Sequence, residues 1–475
     1  MGELGASTRG LSAQYKTTMG TLRPLPTGGM DTILGKGKKD ISMAMTYVAA
    51  DRFLRRGGRL GFVVSQSLFK SVGAGQGFRR FTLPDGTEIG PTIAEDMLEL
   101  NPFEGATNRT AILVLAKGKE VKYPVPYSYW VKKEEGRGSR VGFDTPYDEA
   151  LKNRITFRRW EAEPVDPKDR TSAWICGRPK ALRALRGVLG QSAYTAHEGS
   201  NTGGANAIFW LEVLGERPGG LVMVSNINDG AKKKVEAITT AVEEELVFPL
   251  LRGRDVQRWN AVPSAYILMT QDPQLRRGID VEKMERDLPK AHSYLKRFET
   301  ELRARRDRGA RGLIDKGAPF WSIFSVADYT FCSWKVVWRE QASGLVCAAI
   351  GPINGKPVLP DHKLMMVAAG REEAFYLAGM LNSAPARLLV SSYAVDISIG
   401  THVLGNVKVP KFSDKGARHR KMADLSESAH AAARREDEKK VEEVENEINV
   451  LAASIWGLGR DDSKEIAVSL EELSL

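Results

Sequence analysis

The chain has 475 residues, 42% of them hydrophobic and 27% charged, which is typical of a globular protein with roughly two to four domains. Its formal net charge of +10 favours a polyanionic partner, with nucleic acid ahead of an anionic membrane surface. Three widely separated cysteines without a C-x-x-C pair argue against a disulfide framework or a structural zinc site and indicate a reducing, cytoplasmic setting. We expect neither a signal peptide nor a membrane span, because no apolar run is long enough.

The first periodic segment predicts a helix followed by buried strands. Apolar residues recur at helical spacing over residues 41–54, and Gly57-Gly58 ends the pattern. The apolar runs Leu60–Ser65 and Thr110–Ala116 predict two buried strands, which we expect to be parallel members of an α/β sheet. The glycines of segment 73–77 lack the spacing of a dinucleotide-binding loop and predict a flexible loop near a ligand.

Composition changes between Lys122 and Arg170, where five prolines stand among aromatic and charged residues. We interpret this stretch as a connector. An irregular α+β domain is expected to follow, with two polar loops at 199–206 and 303–311. The second loop holds five arginines, a pattern more typical of a solvated helix face than of a binding site. Further candidate elements are the strands Leu221–Ser225, Ala265–Met269, Lys335–Arg339 and Leu345–Ile350 and the helices Lys180–Leu189 and Glu372–Asn382.

A short helix is predicted just before the most basic turn of this domain. Thr240 and Glu243 have the spacing of a capping box, and the apolar residues up to Val247 suit one helix face. Pro249 would end this helix because it cannot donate a main-chain hydrogen bond.

Three arginines follow within seven residues, namely Arg252, Arg254 and Arg258, and Gly253 allows the chain to turn between them. Guanidinium groups present rigid donor pairs that suit phosphates or a guanine edge. The alternative is a solvated surface turn beside a buried Trp259. Further along, residues 441–455 place apolar side chains at alternating spacings of three and four, which predicts an amphipathic helix.

Several short motifs follow one another in order between residues 38 and 460. They are DISM (40–43), GGRLGFVVSQSLFK (57–70), NPFEGATNRTAILVL (101–115), PLLRGRDVQRW (249–259), YLAGMLNS (376–383), NVKVP (406–410) and IWGL (455–458). Each motif is loose, but their order resembles that in adenine-N6 DNA methyltransferases of restriction–modification systems.

The resemblance implies an α/β fold with a partial Rossmann-like methyltransferase sheet, an α+β target-recognition domain and a C-terminal amphipathic helix. The implied boundaries are 1–120 for the far half of the Rossmann-like domain and 121–170 for the connector. Residues 171–410 would form the DNA target-recognition domain, and 411–475 the C-terminal helical segment.

One departure from this family concerns catalysis. These enzymes bind S-adenosylmethionine at a glycine-rich loop and act at an Asn/Asp-Pro-Pro-Tyr/Phe/Trp motif. The chain contains no Pro-Pro dipeptide, and Asn101-Pro-Phe103 lacks the second proline. We therefore expect the C-terminal portion of such an enzyme, with no catalytic residue, no metal ligand and no bound cofactor of its own. S-adenosylmethionine is implied for the complete enzyme. Whether an N-terminal methyltransferase chain supplies the missing part, or truncation removed it, stays open.

The resemblance also assigns a pocket for the target base, which such enzymes must flip out of the duplex. The aromatic position of the NPFEG motif falls on Phe103, and base–aromatic stacking is worth ~1–3 kcal/mol. Asn108 and Arg109 would line the same pocket. The alternatives are that Phe103 is a core residue before a strand and that its two companions are turn residues.

For DNA contacts we select the three arginines above together with Lys70, Asn201, Thr202 and Asn206. Asn pairs well with adenine in the major groove, although a glycine-rich surface loop without any partner is an alternative. The predicted function is thus adenine-specific DNA methylation, with this chain supplying mainly recognition of double-stranded DNA. A non-catalytic DNA-binding specificity subunit and an unrelated basic RNA-binding protein are the alternatives.

Overall fold

The chain forms two compact units. The first comprises residues 1–189, 391–396 and 460–475, and the second comprises residues 190–390 and 397–459. This computed structural model describes residues 41–71, 74–97, 100, 103, 109–133, 141, 145–342, 344–393 and 399–474.

Up to residue 189 the structure alternates short helices with six strands. The strands are β1 (Arg59–Ser65), β2 (Ile89–Asp96), β3 (Thr110–Lys117), β4 (Val125–Lys132), β5 (Ile155–Pro164) and β6 (Trp174–Gly177). The helices are α1 (Ile41–Arg52), α2 (Ala74–Phe78), the single turn α3 (Tyr147–Glu149) and α4 (Pro179–Leu185).

The rest of the chain has more and shorter strands, followed by long helices. The strands are β7 (His197–Glu198), β8 (Trp210–Arg217), β9 (Leu221–Asn226), β10 (Thr239–Glu243), β11 (Val247–Leu251), β12 (Val256–Gln257), β13 (Asn260–Ala261), β14 (Ala265–Leu268), β15 (Gln271–Asp272), β16 (Arg277–Gly278), β17 (Trp334–Arg339), β18 (Cys347–Ile350), β19 (Leu359–Pro360) and β20 (Leu364–Ala369). The helices are α5 (Asn206–Phe209), α6 (Val281–Asp287), α7 (Pro289–Lys296), α8 (Glu299–Arg303), α9 (Arg308–Asp315), α10 (Arg371–Asn382), α11 (Ala384–Tyr393), α12 (Ala417–Arg434), α13 (Glu438–Trp456) and α14 (Arg460–Ser474).

One six-stranded sheet, in the order β1-β3-β2-β4-β5-β6, organises the first unit. The expected α/β class is confirmed, but β1 and β3 are antiparallel rather than parallel, with Arg59 opposite Ala116. β3 lies between β1 and β2 and is antiparallel to both, and among the described strands of this sheet only β2 and β4 pair in parallel.

The predicted connector is wrong at the level of local structure, because β4 and β5 continue this same sheet. Alternate residues of β4, among them Val125, Tyr127 and Tyr129, enter the hydrophobic core. Their large apolar surfaces outweigh the proline signal, since the prolines at 126 and 164 are accommodated within strands β4 and β5. Trp174 on β6 stacks on Phe69 at 4.9 Å between ring centroids and completes the core.

Two larger sheets and the two-stranded sheets β12-β13 and β15-β16 lie in the described residues of the second unit. One of the two larger sheets has the order β10-β9-β8-β14-β11-β19, and the other has the order β18-β17-β20-β7. The larger sheet and helices α6 to α8 share one hydrophobic core, which includes Phe209, Ile267, Leu295 and Trp321. The predicted strands over 221–225, 265–269 and 335–339, the helix over 372–382 and the amphipathic helix over 441–455 are all present.

The helix predicted over 240–247 is wrong. Thr240 and Glu243 lie in strand β10, and a single 3-10 turn leads into β11. The Glu243 carboxylate accepts the main-chain N–H groups of Lys290 and Ala291, each at 2.8 Å. Glu243 therefore caps the start of α7, a partner distant in sequence, instead of a helix of its own.

Candidate nucleic-acid interface

Loop 199–206 is held in place by the turn at residues 360–364. The main-chain N–H and the hydroxyl of Ser200 both donate to the carbonyl oxygen of Pro360, at 2.8 and 2.9 Å. A Cβ atom on Gly199 would lie 2.3 Å from the carbonyl oxygen of Asp361, so only glycine permits this close approach. The loop and the turn therefore behave as one surface.

Inside this loop the three predicted DNA contacts have different environments. Thr202 is buried, and its hydroxyl donates to Asn206 Oδ1 at 2.5 Å. Asn201 is partly exposed, and its Oδ1 accepts the N–H of Gly203 at 3.0 Å. Asn206 opens α5 and is also partly exposed. Asn201 and Asn206 line a cavity, whereas the buried Thr202 does not line it and holds Asn206 through the hydrogen bond of its hydroxyl group.

Arg305 fixes the loop from the opposite side. Its guanidinium group donates to the carbonyl oxygens of Leu302, Thr202 and Phe320 at 2.9, 2.9 and 2.6 Å. Burial lowers the pKa of Arg305 to about 10. The arginine cluster at 303–311 is therefore not uniformly solvated, because this member builds the loop while its neighbour Arg306 is exposed on the cavity wall.

A lysine-rich loop between β9 and β10 faces the same cavity. Lys232, Lys233 and Lys234 are exposed and line it. The base of the loop is closed by Asn228, whose Nδ2 donates to the carbonyl oxygen of Val235 at 3.1 Å and whose Oδ1 accepts the Val235 N–H at 2.8 Å. No ion pair within the described part of the chain involves these lysines, so their charges are available to an external anion.

The basic turn after β11 lies beside this loop. Arg252 is buried, donates to Ser264 Oγ at 2.6 Å and stacks over the ring of Trp210 at 5.6 Å. Arg254 has a side chain that is 58% exposed and pairs with Asp229 of the lysine-rich loop at 3.2 Å. Arg252 thus organises the turn, and Arg254 presents a cation to solvent.

Together these segments form a basic groove, which we define as two adjacent cavities of about 840 and 330 Å³. Both cavities are lined by Trp210, Gly230, Asp361 and Lys363. Nine cationic side chains against four carboxylates line the two cavities. The groove therefore brings together Asn201, Asn206 and Arg254 from two predicted stretches, and it is strongly electropositive.

Arg258 lies elsewhere. Its Nη2 pairs with Glu445 of α13 at 3.0 Å and donates to the carbonyl oxygen of Asn382 at 3.3 Å. Burial, followed by the charge of Arg387, lowers the pKa of Arg258 to about 10. Trp259 is buried and also donates to Glu445, so this end of the stretch anchors α13.

Of the predicted residues of the first unit, Arg109 and Lys70 lie near the end of β1. The N–H of Gln66 donates to the carbonyl oxygen of Arg109 at 2.9 Å, and Lys70 follows within the next helical turn. Phe103 is 43% exposed, so it is not the core residue of the alternative interpretation. Asn108 lies outside the described residues.

The described residues do not fit S-adenosylmethionine at the glycine-rich segment. Gly75 lies in α2, and a Cβ atom there would lie 2.2 Å from Ser71 Oγ, so the helix fills this space itself. Within the same residues, no group of three His, Cys, Asp or Glu side chains is arranged to hold a metal ion. None of the described helices has the length and apolar character needed to cross a membrane.

Sequence reasoning missed the most exposed cations of the groove. The Lys232-Lys233-Lys234 run is visible in the sequence, but nothing local connects it with residues 199–206 or with Arg254. Lys363, paired with Glu340 at 3.0 Å, lies in the Pro360–Lys363 segment, which the structure confirms as a turn.

Comparison with known proteins gives one clear sequence relative. No family model matches the chain. Over 154 residues it is 32% identical to the type II methyltransferase M.NspV of a Nostoc species, covering 32% of this chain and 30% of that protein. The chain is therefore homologous to a type II methyltransferase over this segment, and it spans less than a third of that relative's length.

The fold is similar to that of a restriction–modification enzyme. The type IIL enzyme MmeI, solved in complex with DNA, matches with a TM-score of 0.51 at 10% identity, over 94% of this chain and 54% of that chain. The type IIG endonuclease BpuSI matches with a TM-score of only 0.27 at 11% identity, over 93% of this chain and 52% of that chain. The likeness to MmeI shows the fold alone.

Proposed function

We propose that this chain is the DNA-recognising part of an adenine-specific DNA methyltransferase of a restriction–modification system and that the basic groove binds double-stranded DNA. The observation that carries the proposal is the convergence of the 199–206 loop, the lysine-rich loop and Arg254 on one electropositive groove. The exposed lysines would contact phosphates, whereas the amides of Asn201 and Asn206 would contact base edges.

The order of the family motifs and the homology to M.NspV support methylation as the activity of the complete enzyme. Adenine-N6 specificity and S-adenosylmethionine follow from the resemblance. The chain's own part in the chemistry is to hold and position DNA, in the cytoplasm. In the first unit, the exposed ring of Phe103 would stack on the flipped base beside Arg109 and Lys70.

A non-catalytic specificity subunit is the second candidate, because the groove serves it equally well. The sheet of the first unit favours the enzyme. Leu60, Phe62 and Val63 of β1 are partly exposed, and no described residue pairs with the outer edge of this strand. A strand of an N-terminal methyltransferase chain would complete the sheet at that edge.

The first experiment measures duplex affinity against salt concentration for the full chain and for a variant with Lys232, Lys233 and Lys234 replaced by Ala. Each phosphate contact adds ~0.9 to the slope of log affinity against log salt, so the variant should bind more weakly and lose ~2–3 from that slope. Circular dichroism checks the fold.

The matched control replaces Lys283, Lys290 and Lys316, which are exposed on the same unit and line neither cavity of the groove. It removes the same charge and should leave the slope almost unchanged. Equal slopes for the wild type and the Lys232–Lys234 variant would remove the groove from the DNA interface.

A further inference from the structure

The first unit has a second basic cavity, with a volume of about 500 Å³. It lies where β5 extends beyond β6, because β6 pairs only with residues 161–164 of β5. In this stretch no described strand covers that edge of β5, so an edge with main-chain N–H and C=O groups borders the cavity. The lining residues are Phe157, Arg158, Arg159, Trp160, Arg178, Pro179, Lys180, Arg183, Glu465 and Glu472.

Both carboxylates of this cavity are paired with the same cation, Arg178. Arg178 pairs with Glu465 at 2.5 Å and with Glu472 at 2.9 Å, which ties α14 to the start of α4. These hydrogen bonds raise the pKa of Arg178, so its charge is committed to the two glutamates. Arg158 donates to the main-chain carbonyl of Glu472. The acidic side chains of α14 therefore leave the remaining cations unpaired.

Three of those cations are exposed, namely Arg159, Lys180 and Arg183. No ion pair in the described part of the chain involves any of them. Lys180 and Arg183 are three residues apart on α4 and so share one face of the helix. The cavity thus has an excess of free positive charge at its rim.

An aromatic surface accompanies these charges. Phe157 is 42% exposed and lies on the same face of β5 as Arg159, two residues away. Its ring packs edge-on against Trp130 at 4.9 Å, which holds it in place. Trp160 closes the cavity from inside, stacked on Tyr129 at 4.6 Å. An exposed ring beside cations suits a ligand that has both anionic groups and flat apolar groups.

We propose that this cavity binds a phosphodiester segment of DNA, as a contact of the first unit separate from the basic groove. Three unpaired cations match successive phosphates, and the exposed Phe157 ring can contact a sugar or a base. The proposal stands on residues of the first unit and does not depend on the groove.

The test is a salt titration of a short random-sequence duplex with the full chain and with a triple variant, Arg159→Ala, Lys180→Ala and Arg183→Ala. Each contact removed should lower the slope of log affinity against log salt by ~0.9, for a total of ~2–3. The same triple change in a background without the three groove lysines should lower the slope by the same amount, which separates this proposal from the groove.

A control variant carries Arg55→Ala, Lys119→Ala and Lys152→Ala, three exposed cations of the first unit outside the cavity. Its slope should stay near that of the wild type. Single-stranded DNA and inorganic phosphate serve as further probes. If the Arg159, Lys180 and Arg183 variant loses affinity for single-stranded DNA as well as for the duplex, the result supports a contact with the DNA backbone. If the cavity binds inorganic phosphate but neither form of DNA, the proposal is overturned.

The competing explanation is that the cations only prevent the free edge of β5 from pairing with another molecule. In that case the Arg159, Lys180 and Arg183 variant would self-associate more strongly than the wild type in sedimentation experiments, and its salt slope would not change. That combination of results would overturn the proposal, whereas a variant that associates no more than the wild type and has a lowered slope would support it.

Discussion

The stretch that follows β11 offers a clear test, because its three arginines, Arg252, Arg254 and Arg258, have three different environments. Replacing Arg254 by Ala removes a side chain that is 58% exposed and paired only with the 77% exposed Asp229. Such a surface pair contributes ~0–1 kcal/mol, so the free energy of unfolding should hardly change. If Arg254 contacts a phosphate, the slope of log affinity against log salt should fall by ~0.9.

Arg258→Ala should give the opposite result. Its side chain is 24% exposed and that of Glu445 is 18% exposed. Removing the arginine takes the direct ion-pair partner from a largely buried carboxylate, which keeps the hydrogen bond from Trp259 and the charge of Arg387, so the loss should be up to about 3 kcal/mol. The fraction of the Arg258→Ala variant that remains folded should show the same slope of log affinity against log salt as the wild type.

Urea denaturation followed by circular dichroism gives the free energy of unfolding, and fluorescence anisotropy on a labelled duplex gives the salt slope. Arg258→Lys is the matched control, because it keeps the charge near Glu445 and should recover part of the stability. A stable Arg258→Ala protein with a slope lowered by ~0.9 would refute this division of roles.

Other outcomes follow from the same structure. Burial lowers the pKa of His430 to about 4, whereas its pKa in the unfolded chain is about 6.5. Between these two pH values the imidazole is protonated in the unfolded chain but not in the folded one. The free energy of unfolding should therefore fall by about 3 kcal/mol as the pH is lowered from 6.5 to 4. Urea titrations of wild type and His430→Gln at both pH values check this, and equal pH dependence would contradict it. Asn206→Ala should cost ~1–3 kcal/mol of preference between sites at an unchanged salt slope, measured by competition between duplexes, if Asn206 contacts a base. The isolated chain should transfer no labelled methyl group from S-adenosylmethionine to mixed-sequence duplex, and any clear transfer would contradict the expected C-terminal portion. The chain should also self-associate through the partly exposed β1 edge unless an N-terminal methyltransferase chain is co-expressed, which a monodisperse monomer in sedimentation would disprove.

Local sequence patterns predicted the elements whose signal lies within a short stretch. Helix α1 was visible because its apolar residues recur at helical spacing, and strand β1 because it is a short apolar run bounded by glycine and polar residues. Residues 240–247 were misassigned because the decisive partner of Glu243 is the start of α7, more than forty residues away. A capping pattern predicts that a carboxylate will accept main-chain N–H groups, but it does not predict which helix supplies those N–H groups.

The domain boundary at the proline-rich stretch failed for a related reason. Prolines mark turns only when the surrounding side chains do not outweigh them, and Tyr127 and Tyr129 belong to a buried core that no local window contains. The antiparallel pairing of β1 with β3 was equally hidden, since strand direction depends on the path of the chain between the strands.

Burial distinguishes the cations that can contact DNA from those that hold the protein's own loops in place, and the sequence alone does not show which cations are buried. Arg305 and Arg306 are adjacent in one arginine cluster, yet the first donates to three carbonyl oxygens in the interior while the second is exposed on the groove. The buried arginine fixes the main chain of Thr202, so it shapes the surface that Asn201 and Asn206 present. A basic motif therefore contributes to DNA recognition in two ways, through charges that reach the phosphates and through charges that hold the contacting loops in place, and only the first should appear in a salt slope.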